Sequence, residues 1–416
     1  MTTPSLRNII SSVRQNADAP AKPPESFAAA LYNTVRDRPG NLFISPVSLE
    51  ACLALLLPGA RGETLAGLQE TLGHGGDADA TIEASSFLQR RLATGDTLSE
   101  RDEAMGREPE PQPIYINNSV WFDPCVVVEQ AWLDAVAQYF DAEEHRAPFR
   151  EDRGEAASTI NRWVEDKTNN RIKNLLDAGS MSPDIRAVLV NTIYMKAGWA
   201  TEFSHRDTTD HDFELASGQT VQVPMMGQTR RYQFHRGKSF SVARLAYRPA
   251  GLCMDVILPL KGVSVSEVER LLVSGDTLTE ELDLSNADFE KLDLKLPKFR
   301  VEKTYELSPA LNAMGLRKCF GLDADFSGIA DPARQPDGKG IAFDEVIQKT
   351  FVEVDEEGTE AAAATAIEMV DMMIAPSGYE PPPTPFHCDR PFLFVIREQE
   401  TGAIPFMGRI EDPRAG

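Results

Sequence analysis

Hydrophobic positions fall into two regimes along the chain. In the first third they recur at helical spacing. "ESFAAALYNTVRD" sets Phe27, Leu31 and Val35 on one face of a helix. "NLFISPVSLEACLALLLPGARGETLAGLQETLG" is a dense apolar block, and Ser45-Pro46 within it reads as a helix start. Gly59 and Gly62 punctuate before a second helix that Thr64 is placed to help cap. "EQAWLDAVAQYFDAE" and "STINRWVEDKTNNRIKNLL" predict further helices. The second half alternates or runs apolar like strands: "AVLVNTIYMKAGWATEF", "VQVPMMG", "FSVARLAYR", "CMDVILPL", "LDLKLPKFRVEKTYEL" and "EVIQKTFVEV". "RPFLFVIREQETGAIPFMGRIEDP" reads as a hairpin turning at "EQETG". There is no repeat and no strict alternation of strand and helix. The pattern predicts an α+β fold with mostly antiparallel sheets.

One stretch fits both periods. In "DEEGTEAAAATAIEMVDMMI" the run Ala361, Ala362, Ala363, Ala364 favours helix. The same residues alternate as a strand. Glu360, Ala362, Ala364, Ala366 and Glu368 share one side, and Thr359, Ala361, Ala363, Thr365, Ile367 and Met369 the other. Local rules leave both readings open.

The chain has 416 residues and a formal charge of -22, enough for one large or two ordinary domains. Such a charge argues against nucleic acid, anionic membranes and sulfated polysaccharides as partners. The basic spots, Arg90-Arg91 and Arg230 to Lys238, read as solvated faces. The five cysteines include no CxxC pair and imply neither a disulfide scaffold nor structural zinc. Cys52 and Cys253 sit in apolar runs and read as core residues. No stretch reaches the ~20 apolar residues of a membrane span. Residues 1–23 read as a weakly ordered tail without the apolar core of a secretory signal, so a cytosolic home or a trimmed chain is expected.

Motifs of enzyme chemistry are missing: no GxSxG, no HExxH and no phosphate-binding loop. "GHGGDA" reads as a plain loop. "HRDTTDHDFE" gathers His205, Asp207, Asp210, His211 and Asp212, and reads as a polar surface loop rather than a metal site. His74, His145, His235 and His387 are scattered and define no triad. No enzyme activity, cofactor or metal is expected.

At "NLFISPVSLEACLALLLPGARGET", "NTIYMKAGWATEF", "FVEVDEEGTEAAAAT" and "RPFLFVIREQETGAIPFMGRI", in that order, the chain resembles the serpins. The resemblance spans residues 24–413, as a single domain followed by a short tail at 414–416. It implies three mostly antiparallel β-sheets with eight or nine helices and an exposed reactive loop. It also implies suicide inhibition of serine proteases. The protease cuts the loop and forms an acyl-enzyme, and the loop then inserts into the largest sheet as a new strand. The hinge and loop would occupy 356–389. The hinge itself would be Glu356, Glu357, Gly358, Thr359, Glu360, Ala361, Ala362, Ala363, Ala364 and Thr365. Its small side chains suit entry between two strands, with Thr359 and its odd-numbered partners pointing inward.

The family's usual hinge length, counted from Glu356, places the reactive bond at Met372–Met373. The segment from Met373 to Arg390-Pro391 looks longer than usual, which leaves Met373 or Tyr379 as alternative cleavage positions. Methionine there suits elastase-, chymotrypsin- or subtilisin-like proteases. Ser45, Ser48 and Asn191 match the family's polar cluster beneath the opening sheet, and Trp199 matches the tryptophan where insertion begins. Gln348 departs from the histidine that many members carry, so a pH-sensitive cluster is not expected. The resemblance implies an extracellular monomer that forms a covalent complex with a serine protease and is liable to loop–sheet polymers. It implies no nucleic-acid, membrane or polyanion partner. The competing reading is a non-inhibitory serpin: a carrier, chaperone or storage protein. Such members usually carry bulky or charged residues in the hinge, and this hinge has none at Thr359 or Ala361 to Ala364.

Overall fold

A computed structural model describes residues 26–73, 77–94, 113–140, 142–179, 181, 185–248, 251–274, 284, 287–321, 323–343, 346–359 and 381–415. The expected N-terminal tail lies outside the described residues. So do Glu360 to Thr365 of the hinge, Met372, Met373 and Tyr379.

Eight α-helices occur among the described residues. They are α1 (Phe27–Val35), α2 (Pro46–Ala54), α3 (Gly62–Leu72), α4 (Ala78–Thr94), α5 (Gln130–Phe140), α6 (Arg153–Lys167), α7 (Val265–Leu272) and α8 (Ser308–Ala313). Their starts follow capping chemistry. Ser26 caps α1, Ser45 caps α2 ahead of Pro46, and Ser264 forms a capping box with Glu267 on α7. Thr64 does not cap α3. It lies inside the first turn, where its hydroxyl accepts from Asp325 N at 2.9 Å, and Arg61 holds the cap position without a side-chain bond. A tertiary partner has taken the oxygen that a cap would have used.

The strands are β1 (Leu42–Ile44), β2 (Ile114–Phe122), β3 (Glu143–Arg146), β4 (Ala187–Met195), β5 (Ala197–Trp199), β6 (Thr209–Glu214), β7 (Thr220–Arg236) and β8 (Phe240–Arg248). They continue as β9 (Leu252–Pro259), β10 (Phe289–Pro297), β11 (Phe299–Glu306), β12 (Val346–Val354), β13 (Gly358–Thr359), β14 (Thr384–His387), β15 (Phe392–Glu398) and β16 (Phe406–Ile410). Their pairings join them into one continuous 16-stranded network with three parts. The main one runs β11-β12-β4-β2-β3. A second runs β1-β16-β15-β9-β8-β7, and a third β6-β7-β10-β14. The long β7 belongs to both smaller sheets, and β5 joins β8 to the main sheet through β13. Pairing is antiparallel except at β12–β4, β2–β3 and β10–β14. The predicted α+β class and the predicted C-terminal hairpin, β15–β16, are both present.

"HRDTTDHDFE" is not a loop. Residues His205–Asp207 make a 3₁₀ turn and Thr209–Glu214 make β6, an edge strand paired with β7.

One core lies between the helices and the main sheet, around Leu49, Cys52, Phe122, Trp132 and Leu311. Another lies between the sheets. There Phe43 stacks on Phe394 and Phe406, at centroid distances of 5.8 and 5.0 Å. Cys52 and Cys253 are buried, as their apolar neighbours predicted. At the C-terminal end, Asn41 Nδ2 donates to the carbonyls of Asp412 and Ala415, tying that segment to the body.

Candidate functional site

The ladder between β12 and β4 covers only part of their length. It runs parallel from Val346–Leu189 to Thr350–Ile193 and stops there. Above that point the chain turns back after Val354, and Gly358–Thr359 slot between β12 and β5. Both new ladders are antiparallel. The hinge therefore already contributes two residues to the sheet.

Asp355 makes the turn. Its Oδ1 accepts from the amides of Glu357 at 2.9 Å and Gly358 at 3.2 Å. Gly358 is needed for close approach: a Cβ there would lie 2.2 Å from the Ala197 carbonyl oxygen and 2.6 Å from Gly198 Cα. Trp199 reads the turn from the other strand. Its amide donates to the Glu357 carbonyl and its indole N–H to the Asp355 carbonyl, each at 2.9 Å. The indole stacks on Tyr247 at 4.5 Å and 13°. Tyr247 in turn shares a hydrogen bond of 2.7 Å with the Thr359 hydroxyl.

Glu356 is the buried anion of the hinge, at 2 % exposure. Its Oε2 accepts from Lys298 Nζ at 2.7 Å, and its Oε1 from the Thr208 hydroxyl at 2.8 Å. Its carbonyl accepts from Phe203 N at 2.9 Å. Burial pushes the carboxyl up, but the bonds from Lys298 and Thr208 outweigh it and hold the group below the ordinary glutamate value. Glu357 is partly exposed, and His205 approaches both carboxylates.

Lower in the sheet lies a second polar group. Gln348 and Asn191 are register partners across β12 and β4. Ser45 N donates to Gln348 Oε1 at 3.0 Å, and Gln348 Nε2 donates back to the Ser45 carbonyl at 2.9 Å. The Ser48 hydroxyl donates to Asn191 Oδ1. Asn191 Nδ2 donates to Asn118 Oδ1 at 2.7 Å, and Asn118 Nδ2 to Gln89 Oε1 at 3.2 Å. Thr350 donates to the Phe43 carbonyl at 2.6 Å. All these side chains are buried, so each bond replaces one to water. The network ties α2 to the two strands that would separate if a strand entered between them.

The structure thus brings Ser45, Ser48, Asn191 and Gln348 together, and places Trp199 apart from them, at the hinge. Asn118, Gln89, Thr208, Lys298, Tyr247 and His205 were not singled out for these roles from the sequence. Only the register of β2 against β4 puts Asn118 beside Asn191. No cluster of three or more His, Cys, Asp or Glu that could hold a metal occurs among the described residues.

The main sheet is thus closed at one end by the β12–β4 ladder and wedged at the other by Gly358–Thr359. The family model described as Serpin (serine protease inhibitor) matches residues 23–413. An uncharacterized serpin-like protein of Thermococcus kodakarensis is 35 % identical, with 94 % of this chain and 85 % of that protein covered. Human serpin B3 is 30 % identical, over 91 % and 95 % of the two chains. Among solved structures, human thyroxine-binding globulin aligns with a TM-score of 0.79 at 26 % identity, covering 94 % of this chain and 98 % of that one. The thermophilic serpin tengpin, in its native state, aligns at 0.77 with 26 % identity and covers 95 % of each chain. The chain belongs to the serpin family.

Proposed function

We propose that this serpin is an inhibitory member that traps serine proteases as acyl-enzymes. The observation that carries the reading is the seating of Gly358–Thr359 between β12 and β5 in antiparallel register. A strand entering along that line continues from Thr359, and beyond Glu360 the residues Ala361 to Ala364 are small. Insertion then replaces one parallel ladder, β12–β4, by antiparallel pairing on both sides.

The reactive bond in this reading is Met372–Met373, and the targets are elastase-, chymotrypsin- or subtilisin-like. The working form is an extracellular monomer, and its partner is the protease. The test is incubation with chymotrypsin and elastase followed by a denaturing gel. A stable band at the summed mass, with the cut mapped to Met372–Met373, is expected. Cleavage of the loop by every protease of a panel, with no such band, overturns the reading.

A second reading is a carrier. It is favoured by the structural likeness to thyroxine-binding globulin, a protein solved in complex with thyroxine. That reading predicts loop cleavage without trapping.

A further inference from the structure

His205 sits on the 3₁₀ turn after β5, and its ring reaches over the hinge. Nδ1 lies 3.5 Å from Glu356 Oε2, and Nε2 lies 3.9 Å from Glu357 Oε1. The side chain is 70 % exposed, so protons reach it freely. The surrounding charges are unbalanced. Glu356 and Glu357 supply two carboxylates, and Lys298 answers with one ammonium, committed to Glu356. Asp355 adds a third carboxylate, which the turn amides hold. Arg206 and Asp207 flank His205 on its own turn. Glu202 is paired with Arg248 at 2.8 Å. From β7, Gln228 donates to the Glu202 carbonyl.

We propose that His205 is a proton-operated latch on the hinge: as imidazolium it bridges Glu356 and Glu357 and keeps Gly358–Thr359 seated in the sheet. Histidine side chains in general change charge between about pH 5 and 8, above the range in which carboxyl side chains ordinarily do. The latch therefore engages on mild acidification and relaxes at neutral pH. The two carboxylates belong to consecutive residues of the turn. A bridge between them opposes the backbone change that would lift the hinge out. The proposal rests on the hinge reading given above, but it concerns the free protein.

The test is hydrogen exchange of the Trp199 and Phe203 amides, whose acceptors are the Glu357 and Glu356 carbonyls. It is run without protease at about pH 5.5 and about pH 7.5, with intrinsic rates divided out. The wild type is expected to exchange about two- to five-fold more slowly at the lower pH, the worth of an exposed ion pair. His205→Gln should lose the pH difference, and His205→Lys should exchange slowly at both values. The latch is overturned by a pH difference that survives in H205Q, by its absence in the wild type, or by a failure of H205K to restore protection. No protease is present, so the latch can fail while trapping stands, and the reverse.

Discussion

The hydroxyls of Tyr247 and Thr359 lie 2.7 Å apart, and each residue is only 1 % exposed. A residue predicted to enter the sheet after cleavage is therefore inside it beforehand. Tyr247 also stacks on Trp199, whose indole holds the Asp355 carbonyl. One aromatic pair thus fixes both the hinge turn and the first inserted side chain.

Tyr247→Phe keeps that stack and deletes the bond. Thr359 then has a buried hydroxyl without this partner, a loss of about 1–2 kcal/mol. Adding Thr359→Val removes the orphaned group, so the double variant should recover much of the loss. Urea unfolding measures both. A Y247F variant as stable as the wild type would show that Thr359 is not held where it is seen.

Thr359→Arg places a charge where 1 % of the residue is exposed. Burying it unpaired costs several kcal/mol by the usual scale of such groups. The hinge should leave the sheet. The variant is expected to be cut at the normal rate but to form little covalent complex on a denaturing gel. Complex at wild-type stoichiometry contradicts the inhibitory reading of the hinge.

The main sheet was legible because most of its strands alternate or run apolar; β4 is buried at every position. Asn191 was placed by the resemblance to the family's polar cluster. Its partner Asn118 was not, since β2 reads as an ordinary strand until its register is known. β6 was hidden for the opposite reason. It is an edge strand with only Phe213 buried, so the alternation that marks a strand is nearly absent. Lys298 joins Glu356 across 58 positions, and no local pattern links such a pair. The resemblance located the hinge; geometry alone revealed that two of its residues are already paired.

The pH response of Glu356 has a definite sign. Its folded pKa lies below the ordinary value of about 4.3. The unfolded chain thus binds the proton more readily. The contribution to stability is fully present above about pH 5 and is lost as pH falls through the folded value. Glu356→Gln should be less stable than the wild type at neutral pH by about 1–3 kcal/mol, and the gap should close on acidification. Lys298→Met should cost more, because Glu356 is 3 % exposed at its side chain while Lys298 is 37 % exposed and can return to water. Equal losses would mean that desolvation does not govern this pair.

Gln348 accepts from Ser45 N and donates to the Ser45 carbonyl at once. A neutral imidazole offers one acceptor and one donor, but an imidazolium offers two donors. In Gln348→His, protonation opposes the Ser45 amide, so folding favours the neutral ring and lowers its pKa. The unfolded state then binds more protons near pH 6, and stability falls as pH drops through about 6.5. Thermal melts between about pH 5 and 8 should slope for this variant and stay flat for the wild type over the same window apart from the small hinge effect. A flat Q348H profile would place the ring away from Ser45.

Cleavage of the loop gives the sharpest test of whether the resting fold stores energy. The β12–β4 ladder holds Val346 to Thr350 against Leu189 to Ile193, and full insertion must break it. What replaces it is a strand continuing from Thr359. Each new ladder bond contributes roughly 0.5–1.5 kcal/mol net, and ordering each residue costs about 1–2 kcal/mol. These terms nearly cancel, so a large gain on cleavage reports relief of strain in the resting sheet. A gain of even about 5 kcal/mol raises the melting midpoint by several degrees or more in a chain of this size. The same gap between the strands admits a neighbour's loop, so warm, concentrated protein should polymerise, and prior cleavage should suppress it. The measurement is a thermal melt of intact against cleaved protein, with the cut confirmed by mass. A cleaved form that melts at or below the intact one removes the driving force for trapping and leaves the carrier reading as the better account.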